Sequence, residues 1–182
     1  MDERSREIHS FVADIVGLPC WHVSIGVPEA SWITFYLGRK LPRRVSVDYA
    51  LLNEEARRNI PELEFTLVHC VSRVDAPHGP VAYIPDLFLC EDMDNDADRE
   101  RSRSIIRNLL LEFSGQVVQR ARLDFPVGDL VIEFSGGNSL SVFCDATEYS
   151  PHSLNWTLLR WDGSFLLAKR GQILRGSRNV DV

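Results

Sequence analysis

Glycine and proline residues recur along this chain at a nearly constant spacing, and this recurrence constrains the fold more than any other feature. When the sequence is shifted by about a hundred residues against itself, three pairs coincide: Gly17 with Gly115, Pro28 with Pro126 and, after one inserted residue, Gly38 with Gly137. Apolar residues keep the same register, as in Ile8 with Ile106, Phe11 with Leu109, Ile33 with Ile132 and Phe35 with Phe134. Self-similarity at a fixed offset is typical of duplicated structural units. The sequence therefore predicts an internal duplication.

Each half of the chain begins with the pattern of an amphipathic helix. Apolar residues at helical spacing precede a glycine in both halves, and glycine commonly ends a helix. The first stripe is Ile8, Phe11, Val12, Ile15 and Val16 before Gly17, and the second is Ile105, Ile106, Leu109, Leu110 and Phe113 before Gly115. We therefore expect one helix at the start of each half.

Strand patterns follow both helices. Residues Trp32–Leu37 and Leu130–Phe134 are rich in β-branched and aromatic types, and glycine follows each run, at Gly38 and at Gly136-Gly137. Such runs ending in a glycine turn are typical of β-hairpins. The sequence thus predicts a hairpin turn at Gly38 and another at Gly136-Gly137.

The clearest hairpin pattern lies near the C-terminus, where Asp162-Gly163 separates two apolar runs. Asp-Gly favours a two-residue type I′ turn, which would pair Leu159 with Leu166 and Leu158 with Leu167. Both sheet faces would then be apolar, which predicts that this hairpin lies in the interior of a sheet. Its expected counterpart in the first half is Glu64–Val74, followed by a strand at Val81–Leu89.

These patterns predict an α+β fold made of two pseudo-repeats, each an N-terminal helix followed by antiparallel β-hairpins. The first repeat would span residues 1–94 and the second residues 95–182. We expect the two repeats to pack as one compact unit related by a pseudo-twofold axis.

Charge and N-terminal composition narrow the possible partners. The net charge of −6 disfavours nucleic acid and anionic membranes, because both attract clustered positive charge, and it favours a basic protein partner. The charged N-terminus lacks the pattern of an export signal, and no apolar run reaches membrane-spanning length. We therefore expect a cytoplasmic protein that binds no membrane, with its four cysteines reduced: Cys20, Cys70, Cys90 and Cys144.

An acidic run precedes the second helix and gives the candidate partner-binding site. Its carboxylates alternate as in a calcium loop, but Ala97 replaces the turn glycine and Arg103 replaces the bidentate glutamate. Capping of the helix N-terminus explains the run better than calcium binding. Arg99, Arg103 and Arg107 form a basic ridge on the helix that follows. A solvated flank explains the ridge best, and the alternative is a salt-bridged interface between the repeats or a partner contact. The candidate residues are Asp92, Asp94, Asp96, Asp98, Arg99, Arg103 and Arg107.

The sequence predicts no catalytic residue, metal site or cofactor. Cys20 and His22 would share a strand face and could meet His69-Cys70, but the spacing differs from that of structural zinc sites. Pairing of Cys144 with His152, or of Cys70 with His69, lacks the surrounding motif of a known nucleophile. Enzymatic activity is left open, with a non-enzymatic role favoured.

The stretch from Gln116 to Lys169 resembles small bacterial β-rich domains of unknown function. The residues that carry the resemblance are Val117 and Leu123, the run Asp129–Gly137 and the run Trp156–Leu159. Some such domains are immunity proteins encoded beside polymorphic toxins, so the resemblance implies an immunity-type inhibitor. The sequence therefore favours a non-enzymatic interaction protein with a basic partner. Two alternatives remain: a small-molecule-binding protein or enzyme with a pocket between the repeats, and a self-associating structural subunit.

Overall fold

The computed structural model describes residues 2–25, 32–43, 52–68, 71–83, 104, 108, 111–144, 154–169 and 172–178. Its helices are α1 (Glu3–Ala13) and α2 (Glu54–Arg58), and residues 104, 108 and 111–113 are also helical. The strands are β1 (Cys20–Ile25), β2 (Trp32–Pro42), β3 (Asn59–Val68), β4 (Val71–Ala76), β5 (Gly79–Tyr83), β6 (Val118–Asp124), β7 (Asp129–Phe134), β8 (Ser139–Phe143), β9 (Leu154–Arg160), β10 (Ser164–Lys169) and β11 (Gln172–Ser177). The predicted α+β class with antiparallel strands is confirmed. Over these same ranges, no helix combines the length and the apolar character that a membrane crossing requires.

Helix α1 forms where the sequence predicts it. The side chain of Asp2 caps its first turn by accepting a hydrogen bond from the backbone N–H of Ser5 at 2.7 Å. Its apolar stripe is buried at Ile8, Phe11, Val12 and Ile15. Val16, predicted on the same stripe, is instead 44% exposed, because the helix ends at Ala13 and the chain turns through Gly17 at φ +88°.

The strands form two antiparallel sheets that each draw on both ends of the chain. Sheet A has the order β1-β2-β3-β9-β10-β11, and sheet B has the order β5-β4-β8-β7-β6. The first three strands of sheet A therefore continue into strands from the C-terminal end, while β4 and β5 join β8 in sheet B. Completing either sheet requires both the N-terminal and the C-terminal parts of the chain.

The space between the sheets is filled by one contiguous apolar cluster. Phe113 packs edge-on against Phe35 of sheet A and Phe134 of sheet B, with ring centres 5.3 and 4.7 Å away. The indole N–H of Trp156 in sheet A donates to the carbonyl of Gly128, in the turn between β6 and β7 of sheet B, at 2.8 Å. Edge-to-face aromatic contacts add to the free energy gained by burying the rings. These contacts hold the two sheets face to face.

The two sheets are also joined where β1 and β6 begin. Four backbone hydrogen bonds connect the two segments: Gly17 N–H to the Val118 carbonyl (2.8 Å), Gly115 N–H to the Cys20 carbonyl (2.9 Å), Val118 N–H to the Leu18 carbonyl (3.0 Å) and Cys20 N–H to the Gln116 carbonyl (2.7 Å). These bonds form two matched pairs. Within each pair, the residues of one bond correspond to those of the other at the same sequence separation as Gly17 and Gly115. We call this feature the β1–β6 junction.

Of the two predicted glycine turns, one is confirmed and one is wrong. Gly136-Gly137 lies in the turn between β7 and β8, where the Gly137 N–H donates to the Phe134 carbonyl at 3.0 Å. Strand β2, by contrast, continues through Gly38, where its pairing with β3 shifts between Leu37 and Lys40. Gly38 has φ +81°, which glycine adopts without strain, so this glycine forms a β-bulge and not a turn.

The C-terminal hairpin is confirmed, and β9 and β10 both have neighbours on each side within sheet A, as predicted. Its register differs by one residue from the prediction, because Leu158 pairs with Leu166 and Leu159 pairs with Phe165. The loop has three residues, and the N–H of Gly163, at φ +84°, donates to the Arg160 carbonyl at 2.9 Å. A type I turn followed by a left-handed glycine gives this loop length.

The predicted counterpart hairpin in the first half is wrong. Strands β3 and β4, which divide Glu64–Val74, belong to different sheets. The hairpin that forms joins β4 to β5 and pairs Ala76 with Gly79. Only the beginning of the predicted strand Val81–Leu89 falls within β5, and residues 84–89 lie outside the described ranges.

Phe113 tests how strongly the intersheet contact stabilises the fold. Phe113→Ala removes a fully buried ring between the sheets and should lower the free energy of unfolding by about 3 to 5 kcal/mol in urea titrations. Leu111→Ala is the matched control, since Leu111 lies two positions away and is 72% exposed. Its effect should stay within about 0.5 kcal/mol. Equal losses in the two variants would contradict the described packing.

Candidate functional site

All of the predicted partner-binding residues lie outside the described residues. These are Asp92, Asp94, Asp96, Asp98, Arg99, Arg103 and Arg107. Two neighbours in the same stretch, Ser104 and Asn108, are helical and exposed. The acidic site therefore stays a prediction from the sequence.

Cys20 and Cys144, the two cysteines that the structure describes, have structural surroundings that account for them. Cys20 is fully buried in the core, and burial raises the pKa of its thiol to about 12, so it remains a protonated, unreactive thiol. The thiol of Cys144 donates to the Gly128 carbonyl at 2.9 Å. The other predicted partners, His69, Cys70 and His152, lie outside the described residues. Across the described ranges, no group of three or more His, Cys, Asp or Glu side chains could hold a metal ion.

A β-bulge separates Cys20 from His22, and it overturns the prediction that they share a strand face. Pairing of β1 with β2 shifts between these residues, so strict alternation is interrupted. Cys20 and Val23 then face the core, whereas His22 lies opposite Tyr36, away from it. The bulge thus directs a histidine onto the outer face of sheet A.

Polar side chains form two rows across that outer face. His22 lies opposite Tyr36, which lies opposite Glu64 on β3. The second row runs from Ser24 through Thr34 and Thr66 to Thr157. Facing residues on paired strands are close enough to interact directly, and the hydroxyls of Thr34 and Thr66 lie 2.9 Å apart. The polar rows occupy the sheet face that in an ordinary sandwich faces water.

The ends of both rows that lie on β1 are nevertheless buried. His22 is 3% exposed and Ser24 is 2% exposed. Both His22 ring nitrogens, the Ser24 hydroxyl and the Trp21 indole N–H have no hydrogen-bond partner within the part of the chain that the structure describes. A buried polar group left without a partner lowers the free energy of unfolding by about 1 to 3 kcal/mol, so this arrangement destabilises the fold.

Aromatic rings and the short helix α2 surround His22. The Tyr36 and Trp21 ring centres lie 5.2 and 6.2 Å from the His22 ring centre. Helix α2 begins after Asn53, whose side chain accepts the Ala56 N–H at 2.8 Å, and Ala56 packs with Tyr36 and Leu52 against Trp21. We call the group Trp21, His22, Ser24 and Tyr36 the His22 cluster.

An exposed ion pair lies at the edge of the His22 cluster. Lys40 Nζ lies 2.5 Å from a Glu55 carboxylate oxygen and 5.3 Å from the centre of the Trp21 ring. Trp21 itself is half-buried. The cluster therefore lies one side chain below the surface.

Burial controls the titration of this face. Burial lowers the pKa of His22 to about 4, although the nearby Glu55 carboxylate acts in the opposite direction, so the imidazole is neutral at pH 7. Burial also raises the pKa of Glu64, while the charges of Arg43 and Arg178 partly oppose that shift. Burial thereby favours the uncharged form of both His22 and Glu64.

The corresponding face of sheet B is different. Pairing of β6 with β7 also shifts at the start of the strand, between Val118 and Arg120. Arg120 and its partner Glu133 remain well exposed, and their charged atoms lie 3.8 Å apart. After a bulge of the same kind, strand β6 therefore carries an exposed, charged arginine, whereas strand β1 carries a buried histidine.

A separate cleft of about 360 Å³ lies between α1 and the strands β9 and β11. Arg160 pairs there with Asp14, and Arg175 pairs with Glu7 at 2.6 Å. The Arg160 guanidinium also lies 3.8 Å from the centre of the Phe11 ring. Because both arginines already hold carboxylate partners, these contacts fasten the helix to the sheet edge.

The comparisons with known proteins give no relative for this arrangement. No protein family matches the chain, and neither a curated protein nor a solved structure resembles it.

The lowered pKa of His22 predicts that the fold loses stability in acid. Its pKa falls from 6.5 in the unfolded chain to about 4 in the fold, so the unfolded chain binds protons more readily in that window. Stability should therefore fall by about 3 kcal/mol as the pH drops from 6.5 to 4. His22→Phe should remove this loss in urea unfolding measured across the same pH range.

Glu64 supplies the control of opposite sign. Its raised pKa means that the folded chain binds the proton more tightly, which adds stability as the pH falls toward the ordinary carboxyl value. Glu64→Gln should therefore make the acid loss steeper. An unchanged pH dependence in His22→Phe would contradict the burial of a neutral imidazole.

Proposed function

We propose that this chain is a cytosolic, non-enzymatic interaction protein that binds a basic protein partner, as an immunity-type inhibitor does. The observation that carries the proposal is the distribution of charge. The net charge is −6, and carboxylates are concentrated in the run from Glu91 to Glu100. Negative potential concentrated in one segment attracts a partner of opposite charge.

Basic side chains elsewhere in the described ranges add support, because many are neutralised within the chain. Arg39 pairs with Glu62 at 3.1 Å, and Arg73 pairs with Asp75 at 2.8 Å. The basic residues that lie within ion-pair distance of a carboxylate are Arg39, Lys40, Arg58, Arg73, Arg120, Arg160 and Arg175. Their charge is balanced locally, which leaves the excess of carboxylates to act on a partner.

The alternative of a ligand pocket between the repeats has less support. Phe35, Phe113 and Phe134 fill the space between the sheets with rings in direct contact. A substrate would have to displace well-packed aromatic side chains there, at the cost of the contacts that hold the sheets together. Binding at an outer surface would leave the packed rings between the sheets undisturbed.

We also infer that the chain arose by duplication, with the first half passing the β4–β5 hairpin into sheet B and the second half passing strands β9, β10 and β11 into sheet A. The matched bonds of the β1–β6 junction and the bulges after Cys20 and Val118 support this inference. Cys20 pairs with Leu37 and Val118 pairs with Phe134, so the structural counterpart of Phe134 in the first half is Leu37. The sequence comparison had instead aligned Phe134 with Phe35, two positions away. Helix-and-sheet units at 1–94 and 95–182 stay the proposed division.

Charge removal in the acidic run tests the proposed function. A variant with Asp92, Asp94, Asp96 and Asp98 changed to asparagine should associate at least tenfold more slowly with the basic partner, with little change in dissociation rate. The partner is first captured from the source cells on immobilised wild-type protein at low salt and identified. Surface plasmon resonance across a salt series then gives both rates.

A charge-matched control separates local recognition from net charge. It changes four exposed or half-buried carboxylates elsewhere to amides: Glu3, Glu54, Asp124 and Glu133. Association should remain within about threefold of the wild type in this control, because the charge near the interface is kept. Capture of no stoichiometric basic partner, or equal slowing in both variants, would exclude the proposal.

A further inference from the structure

The cleft between α1 and the strands β9 and β11 carries an excess of positive charge. Three arginines and two carboxylates line it: Arg6, Arg160 and Arg175, with Glu7 and Asp14. The lining therefore has one positive charge in excess, although the whole chain has a net charge of −6. The cleft volume of about 360 Å³ lies within the range of about 300 to 1,000 Å³ that is usual for small-molecule sites. A positive cleft of this size on an acidic chain favours an anionic ligand.

Two of the arginines lie on the side of sheet A that faces the core. Arg175 is paired with Leu166, and Arg160 follows Leu158 by two positions on β9; both leucines are fully buried. Residues that face each other on paired strands, or that lie two apart on one strand, share a face of the sheet. Apolar side chains at these two positions would extend the core beneath α1. Charged residues where the fold would take apolar ones are typical of functional sites.

The guanidinium groups of the cleft have more hydrogen-bond donors than the fold uses. Arg160 donates to Asp14 through Nη2, and its other nitrogens have no partner within the described ranges. Arg175 likewise donates to Glu7 only through Nη1. Arg6 has no carboxylate within ion-pair distance among the residues that the structure describes. Because each guanidinium has five N–H donors, most of them remain for a further acceptor.

Packing holds the Arg160 guanidinium in place before any ligand binds. Its central carbon lies 3.8 Å from the centre of the Phe11 ring, and Phe11 is itself buried in the core. A guanidinium that lies over an aromatic face keeps the N–H groups in its own plane available to an oxyanion. Little side-chain entropy is then lost on binding, because the group is already ordered.

The lining also restricts the chemistry of the ligand. The planar arrangement of guanidinium donors matches the oxygens of a carboxylate or a phosphate. The carboxylates of Glu7 and Asp14 and the hydroxyl of Ser10 accept hydrogen bonds, so they suit hydroxyl or amino groups on the rest of the ligand. A small organic molecule with one oxyanion group and several such donors meets both requirements.

We propose that this cleft is a binding site for a small organic anion that carries one carboxylate or phosphate group. Arg6, Arg160 and Arg175 bind the oxyanion, and Glu7 and Asp14 accept hydrogen bonds from the rest of the ligand. The site does not involve the acidic run from Glu91 to Glu100. It therefore does not depend on the proposed partner binding.

Binding is tested with three probes of similar size titrated into the full chain at constant ionic strength. Glycerate carries a carboxylate, glycerol phosphate carries a phosphate, and glycerol is their neutral counterpart. The readouts are calorimetric dissociation constants and the NMR signals of the arginine side-chain N–H groups. At least one anion should bind in the millimolar range or more tightly and shift the signals of the cleft arginines, and glycerol should do neither. Binding of only one anion identifies which oxyanion the site takes.

Arg6→Gln distinguishes a binding role from a structural one. Arg6 makes no ion pair within the described ranges, so its replacement should leave the midpoint of urea unfolding unchanged. Anion binding should nevertheless weaken about tenfold, because the variant loses a hydrogen bond between charged groups. Arg122→Gln is the matched control, since Arg122 is an exposed arginine outside the cleft lining that likewise has no described ion pair. It should leave anion binding unchanged.

Glu7→Gln gives a change of opposite sign. The Glu7 carboxylate competes with an anion for Arg175, and its replacement also removes a negative charge from the cleft. The anion should therefore bind several-fold more tightly to this variant. An ion pair that only fastens the helix to the sheet gives no such tightening.

Three results would overturn the proposal. One is the absence of binding by both anions at millimolar concentration. Another is binding of glycerol as tight as that of the anions, because the guanidinium groups would then contribute nothing. The last is equal weakening in Arg6→Gln and Arg122→Gln, since that pattern reflects the net charge of the chain and not a local site.

Discussion

The β1–β6 junction is the constraint on which the rest of this structure depends. Its four hydrogen bonds use only backbone atoms, so they fix chain positions regardless of the neighbouring side chains. Gly17 and Gly115 both take positive φ values there and both follow helical segments. Two positions before each glycine is a fully buried apolar residue, Ile15 or Phe113. The β1–β6 junction therefore sets where both helical segments end and where strands β1 and β6 begin.

The sequence predicted the features that depend on local chemistry. A capped apolar stripe is sufficient to form α1, and the glycine turn between β7 and β8 needs only neighbouring residues. The exchange of strands between sheets could not be predicted in this way. Pairing of β3 with β9 joins distant segments, and a hydrophobic pattern states that a strand is buried but not which strand lies beside it.

Register was the other limit of prediction. Asp162-Gly163 is compatible with loops of two and of three residues, and the bonds made by Gly163 select the longer one. Likewise, Gly38 has the same chemistry in a turn and in a bulge, and only the partner strand distinguishes them. Single-residue shifts of this kind decide which side chains reach each face.

The His22 cluster was missed for the same reason, although part of its signal was present. Alternation in Ile33–Leu37 and in Leu63–Leu67 places Thr34, Tyr36, Glu64 and Thr66 together on the face opposite the core. That regularity could have identified a polar sheet face. The burial of His22 could not have been predicted, because it depends on a bulge in β1 and on packing near α2.

The exchange of strands also determines when the protein can fold during its synthesis. Strand β3 leaves the ribosome with one side unpaired, and its partner β9 is translated only after every strand of sheet B. Until then the open edge of β3 is a template for pairing with another nascent chain. Strand β9 thus completes sheet A only after all of sheet B has been translated, and the interval before β9 arrives exposes the edge of β3 to aggregation.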